Sequence, residues 1–212
     1  MKTKVIIGDD HEVVREGLVS LLNGTDVEII GVAQNGTDVL KLSTTKQPDV
    51  VLLDVRLNDE DGLDVLATLR KKKPELPVVM ISTFDNPTYV ARSIALGAVD
   101  YLLKGSTRDE MVDTLKRAAR KEPPPDTSVM KQVQTTMERR KDKSDNPDNP
   151  LTNRERQVLR HIALGLSNKE IGNSLNISVE TVKEHVQNIL RKLHSPDRTA
   201  AAVWAVKTGL LD

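Results

Sequence analysis

The chain has 212 residues, no cysteine, and 31 basic against 31 acidic side chains. That length suits one or two domains with cores of their own, the missing cysteines exclude disulfides and thiolate metal sites, and no apolar run approaches the length of a membrane span. Charge balances overall but not along the chain: residues 1–120 hold 16 basic and 19 acidic groups, net −3, and residues 150–212 hold 9 and 6, net +3, which suits an anionic partner for the second part. The expectation is a soluble cytoplasmic protein without membrane contact.

Residues 4–122 alternate short Val- and Ile-rich runs with helix-period patterns. Strands are expected at 4–8, 27–33, 50–53, 77–81 and 100–103. Between them, apolar positions recur at helical spacing: Val14, Leu18 and Leu21, then Val39, Leu40 and Leu42, then Leu63, Leu66 and Leu69, then Val90 and Ile94. Met111 and Leu115 close the series behind a capping box made by Thr107 and Glu110. Five βα units predict an α/β domain over 1–122: a flavodoxin-like (βα)5 fold with a parallel sheet in the order 2-1-3-4-5, right-handed crossovers and helices on both faces.

Three consecutive prolines, Pro123 to Pro125, and a polar stretch from Lys141 to Pro150 with two Asn-Pro pairs mark residues 123–149 as a linker, with room for a helix between Thr127 and Arg140. From residue 150 to 212 every signal is helical. Thr152 with Glu155 and Ser167 with Glu170 form capping boxes, Gly165 ends the first helix, and Ser178 caps a longer helix carrying Val182, Val186, Ile189 and Leu193. A last helix runs from Arg198 to Gly209. Four helices, the second and third joined by a tight turn at Asn176 and Ile177, make a small all-α helix-turn-helix domain.

Asp54 ends the run Val50 to Leu53, which reads as a strand buried on both faces. A carboxylate there sits where open α/β sheets place ligands, although a solvated loop residue or a helix N-cap would look the same in isolation. Asp9 and Asp10 end the first strand, the neighbour of the third in the expected order. Converging carboxylates need a cation, and an all-oxygen donor set points to Mg²⁺. Ser82 and Lys104 lie at the ends of strands four and five. The alternative for Ser82 and Tyr101 is a plain strand-end hydroxyl and an edge aromatic.

Acidic pair, strand-three Asp, strand-four hydroxyl and strand-five Lys, with Gly-Asp-Asp-His-Glu-Val-Val-Arg-Glu-Gly-Leu at 8–18 and Leu-Gly-Ala-Val-Asp-Tyr-Leu-Leu-Lys at 96–104, resemble the receiver domain of two-component response regulators of the NarL/FixJ class. The resemblance implies that Asp54 takes a phosphoryl group from a sensor histidine kinase. It further implies that Asp10, Asp54 and the Arg56 carbonyl bind Mg²⁺, with Asp9 acting through water, that Lys104 and Ser82 contact the phosphoryl oxygens, and that Tyr101 follows Ser82 inward. Arg56 and Phe84, two residues beyond Asp54 and Ser82, flank the crevice and are expected to govern water access. The chain departs from the family at Leu57-Asn58, where Met-Pro is common, and at Gly105-Ser106, where many receivers carry a proline.

Leu151 to Leu159, Gly165 to Ile171 and Thr181 to His185 resemble the LuxR-type DNA-binding domain. Its third helix would enter the major groove of double-stranded DNA, with Lys183 and Gln187 at base edges, Asn188 beside them, and Arg191 or Lys192 at phosphates. Asn168, Lys169 and Thr181 would hold the backbone. Each of these residues can also be read as part of a solvated helix face, and Glu184 either repels phosphate or accepts from a cytosine amine. His161 and His185 are read as structural, and the last helix, carrying Trp204, resembles the family's dimerising helix. The leading reading is a transcription regulator, not an enzyme beyond Mg²⁺-dependent self-phosphorylation and slow dephosphorylation, that dimerises when Asp54 is modified. The rivals are a phosphatase with an aspartyl-phosphate intermediate and a phosphorylation-independent DNA-binding regulator that uses the first domain only to dimerise.

Overall fold

In the computed structural model, which describes residues 2–57, 60–138 and 151–211, the five apolar runs are strands: β1 (Thr3–Gly8), β2 (Val27–Ala33), β3 (Val50–Asp54), β4 (Val78–Ser82) and β5 (Asp100–Leu103). All pair in parallel in the order β2-β1-β3-β4-β5, as the sequence predicts. Five helices connect and follow them: α1 (Glu12–Leu22), α2 (Gly36–Thr45), α3 (Gly62–Lys72), α4 (Pro87–Ala95) and α5 (Arg108–Ala119). Side-chain caps set their starts. Asn35, Asp61, Asn86 and Thr107 each accept a backbone N–H from the first turn, and Thr107 with Glu110 completes the expected capping box.

Strand alternation sorts the core into two halves. Val5 and Ile7, Val50 and Leu52, Val79 and Ile81, and Leu102 join Leu18 and Leu22 of α1 and Met111 and Leu115 of α5 in one buried cluster. Ile6, Val51, Leu53, Val78 and Met80, equally buried, have the opposite parity. They belong to the side of α2, where a Cβ on Gly8 would come within 2.6 Å of Val39, and of α3 and α4. Central β3 is buried along its whole length, so its sequence carries no alternation.

A short antiparallel pair, Arg56–Leu57 against Glu60–Asp61, follows β3. Strands this short leave no periodic signal, and the sequence does not predict it. Gly62 then starts α3 directly on the backbone of the strand end: its N–H donates to the Val55 carbonyl at 2.8 Å, and an added Cβ would lie 2.0 Å from the Asp54 carbonyl oxygen.

Contacts divide the chain into two compact units, Met1–Lys131 and Gln132–Asp212. The first therefore includes residues beyond α5. Ser128 Oγ donates to Asp100 Oδ1 at 2.7 Å, Met130 is buried, and between this segment and β5 and α5 lies a cavity of about 520 Å³ that Tyr101, Thr114 and Arg117 help to line. A helix, α6 (Val129–Glu138), begins there. The polar stretch 141–150, expected as linker, and Asn58 lie outside the described residues.

The second unit contains α7 (Asn153–Ala163), α8 (Asn168–Leu175), α9 (Val179–Lys192) and α10 (Arg198–Lys207). The capping boxes at Thr152 and Ser167 form as predicted. Asn176 takes the left-handed conformation, φ +52°, that ends α8, and Gly172 lets the turn fold back, since its Cβ would meet the Ile177 carbonyl at 2.8 Å. Val158, Leu159, Ile162, Ile171, Val182, Ile189, Ala201 and Ala205 fill the core. Among the described residues no helix is long and apolar enough to cross a membrane.

Candidate functional site

Register aligns the chemistry of the first unit. Gly8 pairs with Leu53, so Asp9 and Asp54 leave adjacent strands at the same level, and Ser82 pairs with Leu103, so Lys104 follows at the end of β5. Asp9, Asp54 and Lys104 continue the strand rows of Val5 and Ile7, of Val50 and Leu52, and of Leu102, which face one way. The three side chains meet: Lys104 Nζ lies 2.7 Å from Asp54 Oδ2 and 2.7 Å from Asp9 Oδ2. Asp9 and Asp54 are buried and Asp10 is half-buried beside them. Burial raises the Asp54 carboxyl above its ordinary range against the pull of Lys104, and the Asp9 carboxylate adds to the rise. Burial works against the Lys104 charge, yet the hydrogen bond of its ammonium to Asp54 and its charge contact with Asp9 outweigh it and raise its pKa.

Ligand atoms of Asp9, Asp10, Asp54 and His11 lie within 4.8 Å of one another, a cluster that can hold a metal ion. Asp9 Oδ2, fully buried, accepts no hydrogen bond of good geometry and has only the ion pair with Lys104, as expected of an oxygen available to a cation or its water. His11 was absent from the all-oxygen set expected from sequence. Its Nδ1 is 2.7 Å from Asp10 Oδ1, and its backbone N–H donates to Asp9 Oδ1 at 2.9 Å. The signal was its position next to Asp10. Arg56 N donates to Asp54 Oδ1 at 3.3 Å, which fixes the start of the loop whose carbonyl was expected as a ligand.

Ser82 and Tyr101 have the opposite parity, that of Met80, which is Tyr101's partner in the sheet. They form a second pair beside the charged cluster. Ser82 Oγ accepts from Phe84 N at 3.4 Å, and the Tyr101 hydroxyl donates to the Phe84 carbonyl at 3.1 Å. Tyr101 is already inward at 3% exposure, and burial raises its phenol pKa. Phe84 itself is 72% exposed.

On α9, Lys183, Gln187 and Arg191 form one exposed row at four-residue intervals, opposite buried Val182 and Ile189. Their charges rest on their own helix: Lys183 Nζ donates to Glu180 Oε1 at 2.9 Å, and Arg191 Nη2 to Asn188 Oδ1 at 2.9 Å. Lys192 differs, because its ammonium donates to buried Glu155 Oε2 at 2.8 Å and ties the end of α9 to α7. Burial would raise the Glu155 carboxyl, but Lys192 and the capping box hold it below its ordinary range. Thr181 is paired with Ser178 at 2.8 Å, Asn168 accepts from Arg198 at 3.3 Å, and Lys169 is exposed at the start of α8. His161 is buried, with Nδ1 2.7 Å from the Gln157 carbonyl and Nε2 3.0 Å from Ser174 Oγ, and burial lowers its pKa.

Residues 5–116 match the response regulator receiver domain family, and residues 149–205 match the bacterial regulatory proteins of the luxR family. The transcriptional regulatory protein LiaR of Bacillus subtilis is 36% identical over 210 residues, covering 99% of both chains. The response regulator protein VraR of Staphylococcus aureus is 32% identical over the full length of both. Among solved structures, the response regulator ChrA of a heme-sensing two-component system is 28% identical, with a TM-score of 0.55 over 99% of this chain and 98% of that one.

Proposed function

Because this chain belongs to the two-component response regulators that join a receiver domain to a LuxR-type DNA-binding domain, we propose that Asp54 is the residue through which its transcription regulation is switched. A sensor histidine kinase supplies the phosphoryl group as a phosphohistidine. An Asp54 carboxylate oxygen attacks phosphorus, the phosphorus–nitrogen bond breaks, and the donor imidazole leaves with that electron pair, giving an acyl phosphate. The observation that carries this reading is the Lys104 ammonium, 2.7 Å from both Asp54 and Asp9 at adjoining strand ends.

Asp10, Asp54 and the Arg56 carbonyl would hold Mg²⁺ directly and Asp9 through water, a hard-oxygen set suited to that ion, with His11 orienting Asp10. Bound there, Mg²⁺ supplies positive charge against the phosphoryl oxygens. Lys104 shifts from the carboxylates to a phosphoryl oxygen, and Ser82 Oγ donates to another. Both Ser82 and the Tyr101 hydroxyl touch the Phe84 backbone, so a move of Ser82 passes to the β4–α4 loop and to Tyr101. The protein's chemistry ends with its own phosphorylation and slow hydrolysis.

The proposed division is receiver 1–122, linker 123–149 and DNA-binding domain 150–212, working in the cytoplasm. Lys183 and Gln187 reach base edges with Asn188 beside them, while Arg191, Lys169, Thr181 and Asn168 contact backbone phosphates of promoter DNA. Lys192 contributes less, its charge being balanced by Glu155. One helix-turn-helix reads a half-site, so tight binding requires a homodimer, formed on phosphorylation.

Intact mass spectrometry after incubation with acetyl phosphate and Mg²⁺ tests the assignment. A gain of one phosphoryl group, lost in Asp54→Asn and without divalent metal, is the expected result. Modified Asp54→Asn protein would overturn it.

A further inference from the structure

Tyr89 and Arg92 stand one turn apart on α4 and reach the two ends of the segment that follows β3. Arg56 Nη2 donates to the Tyr89 hydroxyl oxygen at 3.2 Å, with its guanidinium carbon 5.9 Å from the ring centroid. Arg92 Nη1 pairs with Asp61 Oδ2 at 3.5 Å, and Asp61 Oδ1 caps α3 through the Leu63 N–H. Arg56 is therefore held at two points, its main chain on the Asp54 carboxylate and its side chain on α4. β3 and β4 are neighbours and α4 follows β4, so the Arg56 side chain, which starts two residues past Asp54, reaches from the end of β3 to the helix that follows β4.

We propose that Tyr89 is a positioning residue that keeps the Arg56 guanidinium across the mouth of the Asp54 crevice and thereby slows hydrolysis of the phosphorylated protein. This rests on Asp54 being the phosphoacceptor. In the hydrolysis, a water oxygen attacks phosphorus, the bond from phosphorus to the Asp54 oxygen breaks, and inorganic phosphate leaves with the carboxylate restored. The attacking water must come through the mouth. An exposed arginine samples many rotamers, and a planar guanidinium matched to a phenol oxygen and ring face selects among them. The Tyr89 hydroxyl meets the Arg56 side chain and not, among the described contacts, the acidic cluster, so it acts through Arg56. Because Arg92 grips Asp61 from the same helix, the loop contributing the Arg56 carbonyl is fastened to α4 at both ends, which keeps the guanidinium over the opening while Lys104 and Ser82 contact the phosphoryl oxygens.

Full-length protein and the variants Tyr89→Phe, Tyr89→Ala, Arg56→Ala and the Tyr89→Ala/Arg56→Ala pair would be phosphorylated with acetyl phosphate and Mg²⁺, freed of donor, and followed by intact mass. Tyr89→Ala should shorten the phosphoryl lifetime severalfold, Arg56→Ala should do the same, and the double variant should decay no faster than Arg56→Ala. Tyr89→Phe, which keeps the ring and loses the hydroxyl, should fall between wild type and Tyr89→Ala, and it serves if the alanine variant fails to fold. An unchanged lifetime in both Tyr89 variants overturns the proposal, as does a Tyr89 effect that persists in full without the Arg56 side chain, the mark of a merely structural role. No mass gain in the wild type overturns the Asp54 assignment and this proposal together, whereas normal gain with unaltered decay overturns this proposal alone.

Discussion

The receiver crevice and the face of α9 hold the side chains proposed to act in them in opposite ways. In the crevice, Asp9, Asp54 and Lys104 come from three strands, are buried or nearly so, and are fixed by register and shared parity. On α9, Lys183, Gln187 and Arg191 come from one helix, are exposed, and are aligned by periodicity alone. A site built by convergence has few spare degrees of freedom, so a change in supporting backbone reaches the chemistry. A row on a helix loses one contact at a time. Beneath the row, however, the second domain depends on buried charged groups, Glu155, Arg160 and His161, that touch no DNA in the proposed arrangement.

The largest effect is expected at Gly62. Its methyl would meet the Asp54 carbonyl at 2.0 Å, so Gly62→Ala must push α3 off the strand end. Chemical denaturation should show a loss of about 3–4 kcal/mol, together with weaker phosphorylation. Next comes Arg160, buried at 2% exposure with Nε donating to the Leu210 carbonyl at 3.0 Å. Arg160→Met leaves that carbonyl without its donor, and thermal unfolding should report about 2–3 kcal/mol lost from the DNA-binding domain with the receiver untouched. A smaller effect, about 1–2 kcal/mol in DNA affinity at constant stability, is expected for Lys183→Ala, read by titration of a promoter duplex. Lys192→Ala should do the reverse, costing stability because buried Glu155 keeps its capping bonds but loses its cationic partner, and little affinity; equal affinity losses at both positions would erase the distinction between them.

The smallest effect is set by pH. His161 is held below its ordinary value of 6.5, first by burial. Between that lowered pKa and 6.5, the unfolded chain binds the proton and the folded one does not, so stability rises with pH across this window. The contribution is fully present above 6.5 and is lost as pH falls toward the folded pKa. Unfolding of the DNA-binding domain measured across this range should show the slope, and His161→Gln should flatten it.

The strands and the positions of Asp9, Asp54, Ser82 and Lys104 were legible because each carries a local mark, an apolar run that ends in a polar group, and the strand order follows from the doubly wound fold that five βα units imply. So were the helix starts at Thr107, Thr152 and Ser167, where the capping residues are three apart. Contacts between segments carry no such mark. Tyr89 and Arg56 are 33 residues apart and meet only because β3 and β4 are neighbours. Gly62 reads as an ordinary turn glycine until the unpredicted strand pair brings it onto the Asp54 backbone. Ser128 reads as linker, yet it bonds Asp100 at the start of β5. His11 lacks such a mark for another reason: it directly adjoins Asp10, and its contact with that carboxylate appears only in the folded geometry.

Modification of Asp54 in the convergent site is proposed to drive the pairing through which the helical row reads DNA. Sedimentation velocity of the full-length protein and of Asp54→Asn, each with Mg²⁺ and with or without the phosphoryl mimic beryllofluoride, addresses it directly. The wild type should shift from monomer to dimer with the mimic, and Asp54→Asn should not. A wild type that sediments unchanged, or an Asp54→Asn protein that shifts equally, would contradict the proposal.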